Sequence, residues 1–234
     1  MPSEPSRVDV HKVFDRIASR YDIFNRISSF GLDKLWRRRL AASLKSQKQL
    51  KTLDVATGTG DLLLSLFANG CDISGAVGID TSANMLAIAK EKLASHKVDL
   101  IQADIAENSL ADDEFDAAVC AFGVRNFADV DSGLKQMFRI LKPAGRVLIL
   151  EFSLPRNSVI RILYLFYLRF IIPIIGKIIT GDINAYLYLS KTIRTFPCGQ
   201  DFCHLLQEAG FIDIYAEPLT FGVVTLYLAR KSRR

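Results

Sequence analysis

The sequence predicts an α/β fold in which a mostly parallel sheet is covered by helices on both faces and closes with an antiparallel hairpin. Three observations carry this. From Lys51 onward, short apolar runs alternate with helical periodicities, the pattern of a parallel sheet buried on both sides. The first run, Leu53-Asp54-Val55, leads straight into Ala56-Thr57-Gly58-Thr59-Gly60-Asp61, a glycine turn that opens a helix. The last two runs are separated only by Glu217-Pro218-Leu219, too short for anything but an antiparallel turn. At 234 residues, half of them apolar, one domain with an insertion is expected.

In chain order, residues 1–48 read as a helical cap. Val8 to Tyr21 carries Val10, Val13, Phe14, Ile17 and Ala18 on one helical face, and Trp36 lies on a basic helix running to about Lys45. Strands are expected at Thr52 to Val55, Ala76 to Ile79, Val98 to Gln102, Phe115 to Ala121 and Val147 to Leu150. Helices are expected at Leu62 to Ala68, Ala83 to Ser95 and Val130 to Leu141, the last stopped by Pro143 and Gly145. The chain ends with helix Gln200 to Ala209, strand Ile212 to Glu217 and strand Thr220 to Ala229. Residues 155–195 break the alternation with an apolar helical insertion whose core is Val159 to Ile179. Arg161, Arg169, Pro173, Gly176 and Lys177 interrupt it, so no clean run of ~18 apolar residues remains to span a bilayer, and an interfacial or lid helix pair is expected. Leu163, Phe166, Tyr167, Phe170, Ile171 and Ile174 fall on one apolar face there; a homodimer contact or a core helix is the alternative.

The glycine turn is a seat for a nucleotide or cofactor, because Gly58 and Gly60 expose bare peptide groups and the helix that follows points free N–H groups at the ligand. Its charge selects among ligands. Asp54 and Asp61 flank the turn and would repel a pyrophosphate, whereas S-adenosylmethionine, a sulfonium with no phosphate, is attracted. Asp80 ends the second strand, where a carboxylate accepts a ribose diol, although it could instead cap the next helix, as could Thr81 or Ser82. Asp104, after the third strand, can accept from an adenine amino group or be a plain surface acid. Arg125 and Asn126 follow the fourth strand, in the loop that faces the ligand of an open parallel sheet, unless Arg125 is simply solvated.

Composition excludes other chemistry. The four cysteines form no CxxC pair and the three histidines are scattered, so neither a metal site nor a disulfide framework is indicated, and a reducing cytoplasm fits. Met1 to Lys12 lacks the apolar core of a secretory signal. The net charge of +5 is concentrated at Lys34, Arg37, Arg38 and Arg39 and at Arg230, Lys231, Arg233 and Arg234, either a solvated face or a surface for an anionic partner such as membrane or RNA. An RNA or protein methyltransferase is the rival class; the loop after the fourth strand lacks a Pro-Pro-Tyr type segment, and no proline precedes Cys120.

Four segments in order resemble the bacterial menaquinone and ubiquinone C-methyltransferase family: Tyr21, Asp22, Asn25, Ser28, Gly31 and Trp36; Asp54 to Asp61; Phe122 to Asn126; and Arg139 to Gly145. Phe24 stands where the family has methionine, Asp33 where it has histidine, and Ala144 where it has glycine. The resemblance implies a seven-stranded, Rossmann-like class I S-adenosylmethionine-dependent methyltransferase sheet, with the cofactor contacted around Thr59, Asp80 and Asp104-Ile105. It also implies C-methylation of a prenylated quinol, at the inner face of the cell membrane and with no nucleic acid partner. Arg125 is then the candidate cation beside a developing phenolate, Asn126 orients the ring oxygen, and water or a lid residue such as Asp22 receives the proton. The Asp33 replacement implies that any proton-transfer role of that histidine is lost or altered.

Overall fold

The computed structural model describes residues 10–233; the first residues of the expected Val8 helix and the terminal Arg234 lie outside them. Seven strands form one sheet: β1 (Leu50–Val55), β2 (Ile73–Asp80), β3 (Val98–Gln102), β4 (Phe115–Ala121), β5 (Leu141–Phe152), β6 (Ile212–Leu219) and β7 (Val224–Arg230). Their spatial order is β3-β2-β1-β4-β5-β7-β6, parallel except for β7, which is antiparallel to both neighbours. Helices α3 (Asp61–Ala68), α4 (Ala83–Lys92), α5 (Val130–Ile140) and α9 (Gln200–Glu208) cover it. Apolar residues fill both faces: Leu53, Val77, Ile79, Phe115 and Ile149 pack with α5 and α9 on one, Leu62, Leu66, Ala89, Val119 and Leu226 on the other.

Several expected boundaries move: β2 starts at Ile73 and not Ala76, the helix expected to reach Ser95 ends at Lys92, and the closing turn and the start of β5 shift as well. The closing turn is Thr220–Gly222, not Glu217 to Leu219, which are still strand. Pro218 pairs with Thr225 without breaking the sheet because β6 is an edge strand. β5 begins six residues before Val147, since the chain after α5 returns to the sheet through an irregular stretch in which Phe115 pairs with Leu141 and Ala117 with Arg146.

Outside the sheet, α1 (Val10–Ser28) runs straight through the Tyr21 to Asn25 segment, and α2 (Leu32–Ala42) follows Gly31 at φ 78°, a conformation suited to glycine. The insertion comprises α6 (Ser158–Phe166), a π-helical turn at Tyr167–Ile171, α7 (Ile172–Thr180) and α8 (Ile183–Thr195). The first three join into one 23-residue helix, Ser158–Thr180, long and apolar enough by length and composition to cross a membrane, which corrects the expectation that its interruptions forbid such a run. Pro173 has no N–H to give the preceding turn, and the helix widens there instead of ending. One face of this helix packs against α1 and α8 through Leu168, Ile172, Ile17, Phe24 and Tyr186; at Gly176 any side chain would collide with the Tyr186 ring. The expected apolar face divides: Leu163, Phe166, Phe170 and Ile174 are exposed, whereas Tyr167 and Ile171 turn partly inward.

Candidate active site

The strand order reverses between β1 and β4, and the loops leaving their carboxyl ends meet there. A Cβ on Gly123 would lie 2.6 Å from the Ala56 Cβ and 2.8 Å from the Cys120 sulfur, so only glycine lets the loops approach this closely. Gly58 is at φ 55° with open space where a side chain would stand. That space belongs to a cavity of about 360 Å³ lined by Gly58, Asp80, Thr81, Met85, Asp104 and Ile105, among others. Asp80 accepts from the Gly58 amide at 2.8 Å and the Ser82 amide at 2.9 Å, so each carboxylate oxygen keeps a lone pair for a ligand. Burial holds its carboxyl above the usual range, despite the amide hydrogen bonds from Ser82, Gly58 and Thr81. The capping role weighed for Asp80 falls to Ser82, whose side chain accepts from Met85. Asp104 accepts from Ala106 at 2.8 Å at the head of a short 3-10 turn.

The remaining residues expected at the cofactor lie behind this wall. Asp54 is buried and accepts from Thr57 at 2.7 Å; burial pushes its carboxyl up to about 7. Gly60 is at φ 80°, and a Cβ there would meet Leu93 of the α4 end at 2.8 Å. Thr59 donates to Asp22 at 2.7 Å and accepts from Lys92 at 3.2 Å. Asp61 is not the bare charge that its position beside the turn suggests. Burial raises its pKa, but Arg37 and Lys92 more than reverse this and hold its carboxyl below the usual range. The acidic residues lining the cavity are Asp80, Asp104 and Glu107, and the charge argument drawn from Asp61 is corrected.

A second cavity, about 220 Å³, lies between α1, α2, the insertion and the ends of β4 and β5. Its walls are mainly apolar: Ile17, Phe24, Trp36, Phe152, Leu168 and Ile193 are among them. Trp36 packs edge-on to Phe122 and Phe152 and donates to Thr220 at 2.7 Å, the packing role expected of it. Phe14, Tyr21, Phe122 and Asn126 line both cavities and form the border between them.

Arg125 lies in the 3-10 turn Val124–Asn126 and is 3% exposed, which removes the solvated alternative. Its Nη1 donates to Glu151 at 2.7 Å and to the Phe122 carbonyl. Glu151 is itself 1% exposed and also accepts from the Arg125 and Phe152 amides. Arg125 Nε is buried with no hydrogen-bond partner, and the residue is part of the lining of the apolar cavity. Asp22 differs from its expected placement: it lines neither cavity, and both its oxygens are engaged, by Thr59 and by Lys92 at 2.8 Å. Asp33 is a wall residue of the apolar cavity, paired with Arg26 at 2.6 Å and Arg37 at 2.7 Å. Cys120 is fully buried and its thiol is pushed up by burial, unsuited to act as a nucleophile. Much of the basic surface charge is paired internally: Arg39 with Glu217, Arg230 with Asp213, Lys231 with Asp113.

Sequence reasoning missed Lys92 and Glu151 as site partners and treated Tyr21 mainly as packing. Glu151 carried a usable signal, since it ends the strand beside β4 at the ligand end of the sheet. Lys92 carried none, because it reaches Asp61 and Asp22 only through the packing of α4 against α1 and α3.

Solved structures share this architecture. A possible histamine N-methyltransferase from Thermotoga maritima, described as S-adenosylmethionine-dependent, aligns over 95% of this chain and 100% of its own with a TM-score of 0.68 at 17% identity. A phosphoethanolamine N-methyltransferase from Haemonchus contortus, solved with S-adenosylmethionine, aligns over 84% of this chain and 52% of its own with a TM-score of 0.61 at 16% identity. At these identities the likeness establishes the class I methyltransferase fold. Sequence relatives are nearer. The demethylmenaquinone methyltransferase of Bacteroides fragilis is 38% identical over 95% of this chain and 92% of its own. The ubiquinone/menaquinone biosynthesis C-methyltransferase of Syntrophotalea carbinolica is 41% identical over 96% and 94%. The sequence pattern of the ubiE/COQ5 methyltransferase family matches residues 3–231, and the chain belongs to that family.

Proposed function

We propose that this chain transfers a methyl group from S-adenosylmethionine to a ring carbon of a prenylated quinol, converting demethylmenaquinol to menaquinol, with the benzoquinol of ubiquinone synthesis as a second candidate substrate. The observation that carries the reading is the pair of cavities, one with three carboxylates (Asp80, Asp104 and Glu107) and one mainly apolar, that border each other at Phe14, Tyr21, Phe122 and Asn126. A charged methyl donor suits the first and a ring on an isoprenoid tail suits the second. The names of the family's relatives support the same reading.

Bound in the polar cavity, S-adenosylmethionine supplies an electrophilic methyl. The residues there fit it: Asp80 has a lone pair on each oxygen for the ribose hydroxyls, Asp104 can accept from the adenine amino group beside Ile105, and Gly58 leaves the backbone open. Asp54, Thr59 and Gly60 hold the loop from behind. Holding both reactants in line supplies most of the acceleration of such a displacement. The chain also makes the ring nucleophilic. The free Nε–H of Arg125 donates to the hydroxyl oxygen ortho to the target carbon and lowers its pKa, with Asn126 orienting that oxygen. Glu151 balances the guanidinium charge and fixes its direction. Asp22, engaged by Thr59 and Lys92, ties α1 to the cofactor loop and is a positioning residue in this scheme.

Labelled S-adenosylmethionine supplied with a reduced short-tailed naphthoquinol, or with bulk RNA, tests the reading. Label appearing in the organic-soluble quinol supports it, and label in RNA overturns it.

The enzyme works at the membrane surface in this reading, because each CH₂ of a prenyl tail drawn into water costs about 0.8 kcal/mol. Val159, Ile162, Leu163, Phe166, Phe170, Ile174 and Ile178 are exposed along one 23-residue helix, with Arg161, Arg169 and Lys177 among them to reach lipid phosphates. The protein should float with anionic liposomes and be partly released by high salt. Replacing the adjoining Phe166 and Phe170 with Ser should reduce flotation and activity on long-tailed quinols while sparing a short-tailed one. Unchanged flotation would assign this face to a subunit contact.

A further inference from the structure

Tyr164 in α6 has a ring that is only partly covered, but its hydroxyl oxygen is sealed from solvent and has no hydrogen-bond partner. It lines the apolar cavity together with Arg125, whose Nε is likewise buried and unpaired. Both residues line the same chamber, Tyr164 from the insertion and Arg125 from the loop after β4. Other tyrosines near the core have found internal partners. Tyr167 donates to the Ser28 carbonyl at 2.6 Å, and Tyr227 accepts from the Gly199 amide at 2.7 Å. The hydroxyl of Tyr186 is unpaired too, but Thr180 stands at its side.

A buried hydroxyl with nothing to bond destabilises the free protein, and phenylalanine would fill the same space without that penalty. Tyr164 and Arg125 thus each carry an unpaired buried donor on the lining of one mainly apolar chamber, and a ligand that enters it and offers an acceptor would relieve both. We infer that Tyr164 donates a hydrogen bond to a ring oxygen of the quinol, so that the ring is held between the Tyr164 hydroxyl and the Arg125 Nε–H. The inference rests on the quinol reading above and adds the residue by which the insertion recognises the head group. Burial raises the Tyr164 pKa further from neutrality, so the hydroxyl stays a donor and takes no proton from the substrate. Because Arg125 follows β4 and Tyr164 belongs to the insertion, an oxygenated ring links the insertion to the sheet, while a tail alone does not.

Tyr164→Phe removes the one oxygen. The free variant should melt at the wild-type temperature or above it and bind S-adenosylmethionine within twofold of wild type. Its KM for a short-tailed naphthoquinol should rise about tenfold, and the rise in melting temperature caused by that quinol should shrink. Inhibition by the two mono-hydroxy analogues of the quinol then locates the contact: with the analogue lacking the oxygen that Tyr164 reads, variant and wild type should bind equally, and with the other the tenfold gap should persist. An unchanged KM, a gap that persists with both analogues, or a lower melting temperature with parallel loss of cofactor binding would overturn the inference while wild type still methylates the quinol. Failure of wild type itself to methylate it would overturn the underlying reading, and this inference with it.

Discussion

The sheet and the helices around its ligand end build their halves of the site in different ways. On the sheet side the ligand surface is mostly backbone and strand-end carboxylates: Gly58, Gly123, Asp80 and Asp104, each placed by the strand it follows. On the helical side it is side chains, from α1, α2 and the insertion, held by a chain of ions that runs Arg26, Asp33, Arg37, Asp61, Lys92, Asp22 and ends at Thr59. The difference teaches that the first surface is set by local sequence and topology, the second by contacts between distant segments. Arg125 and Glu151 stand where the two meet, so the largest effects are expected there.

Arg125→Ala should lower single-turnover methylation on the order of a hundredfold or more, the usual scale for losing one stabiliser of developing charge. It should also destabilise the fold by about 3 to 5 kcal/mol, because Glu151 would be left buried and unpaired. The double variant Arg125→Met, Glu151→Leu separates the two effects. Stability by denaturant melts should return in part, since the buried charge is gone but the Arg125 and Phe152 amides that Glu151 accepts from lose their partner, while activity stays lost; recovered activity would show that the pair is structural. Arg125→Lys should recover only part, since a point ammonium cannot match the guanidinium fork.

Cofactor affinity compares the halves directly. Asp80→Ala should weaken S-adenosylmethionine binding at least tenfold by calorimetry, through loss of the proposed ribose contacts and of the hydrogen bond from the Gly58 amide. Asp22→Asn, on the helical side, should weaken it only a few fold, because the amide still accepts from Thr59. Equal losses would mean that the helices, too, contact the cofactor.

The third comparison lies within the sheet. Burial raises the Asp54 pKa from 3.8 to about 7. A carboxyl whose folded pKa is raised stabilises fully below its unfolded pKa, and that contribution is lost as pH rises through the folded value. Wild type should therefore lose stability relative to Asp54→Asn between about pH 4 and pH 7, by a few kcal/mol, with no further change above. The amide keeps the hydrogen bond from Thr57, so packing is unaltered. Parallel stability profiles for the two proteins would show that Asp54 ionises normally.

The same contrast explains what the sequence revealed. The existence and order of the strands, the glycine turn and the carboxylates at strand ends follow from periodicity and from position along a parallel sheet and were legible, although the starts of β2, β5 and β7 lie three to six residues from where they were expected. Asp22 was not: its partners Thr59 and Lys92 are 37 and 70 residues away, and nothing local announces that both its oxygens are taken. Asp61 misled for the same reason, as its charge is balanced by Arg37 and Lys92. Tyr164 reads in sequence as one more apolar position of an amphipathic helix, because periodicity records which face is buried and not which hydroxyl lacks a partner. The displaced hairpin turn has another cause, since proline is a turn signal only where the strand needs its N–H, and the edge strand β6 does not.

The smallest effect lies at the other end of the sheet. Ala144 adopts φ 64° in the irregular start of β5, where its amide donates to the Ser232 carbonyl at 3.1 Å. A left-handed conformation costs a residue with a Cβ roughly 1 to 2 kcal/mol, and glycine escapes that strain. Glycine in turn gives the unfolded chain more freedom, which offsets about 0.4 to 1 kcal/mol of the gain. Ala144→Gly should thus stabilise by about 0.5 to 1 kcal/mol, a rise of roughly 1 to 4 °C in melting temperature for a chain of this size. Activity should not change, because Ala144 lies in the irregular start of β5, seven residues from Glu151 near the strand's other end. The adjacent Gly145 serves as the converse. A Cβ there would meet the Lys142 carbonyl at 2.7 Å, so Gly145→Ala should destabilise. A lower melting temperature for Ala144→Gly would mean that the turn relaxes out of the left-handed region in solution and that Ala144 carries no strain.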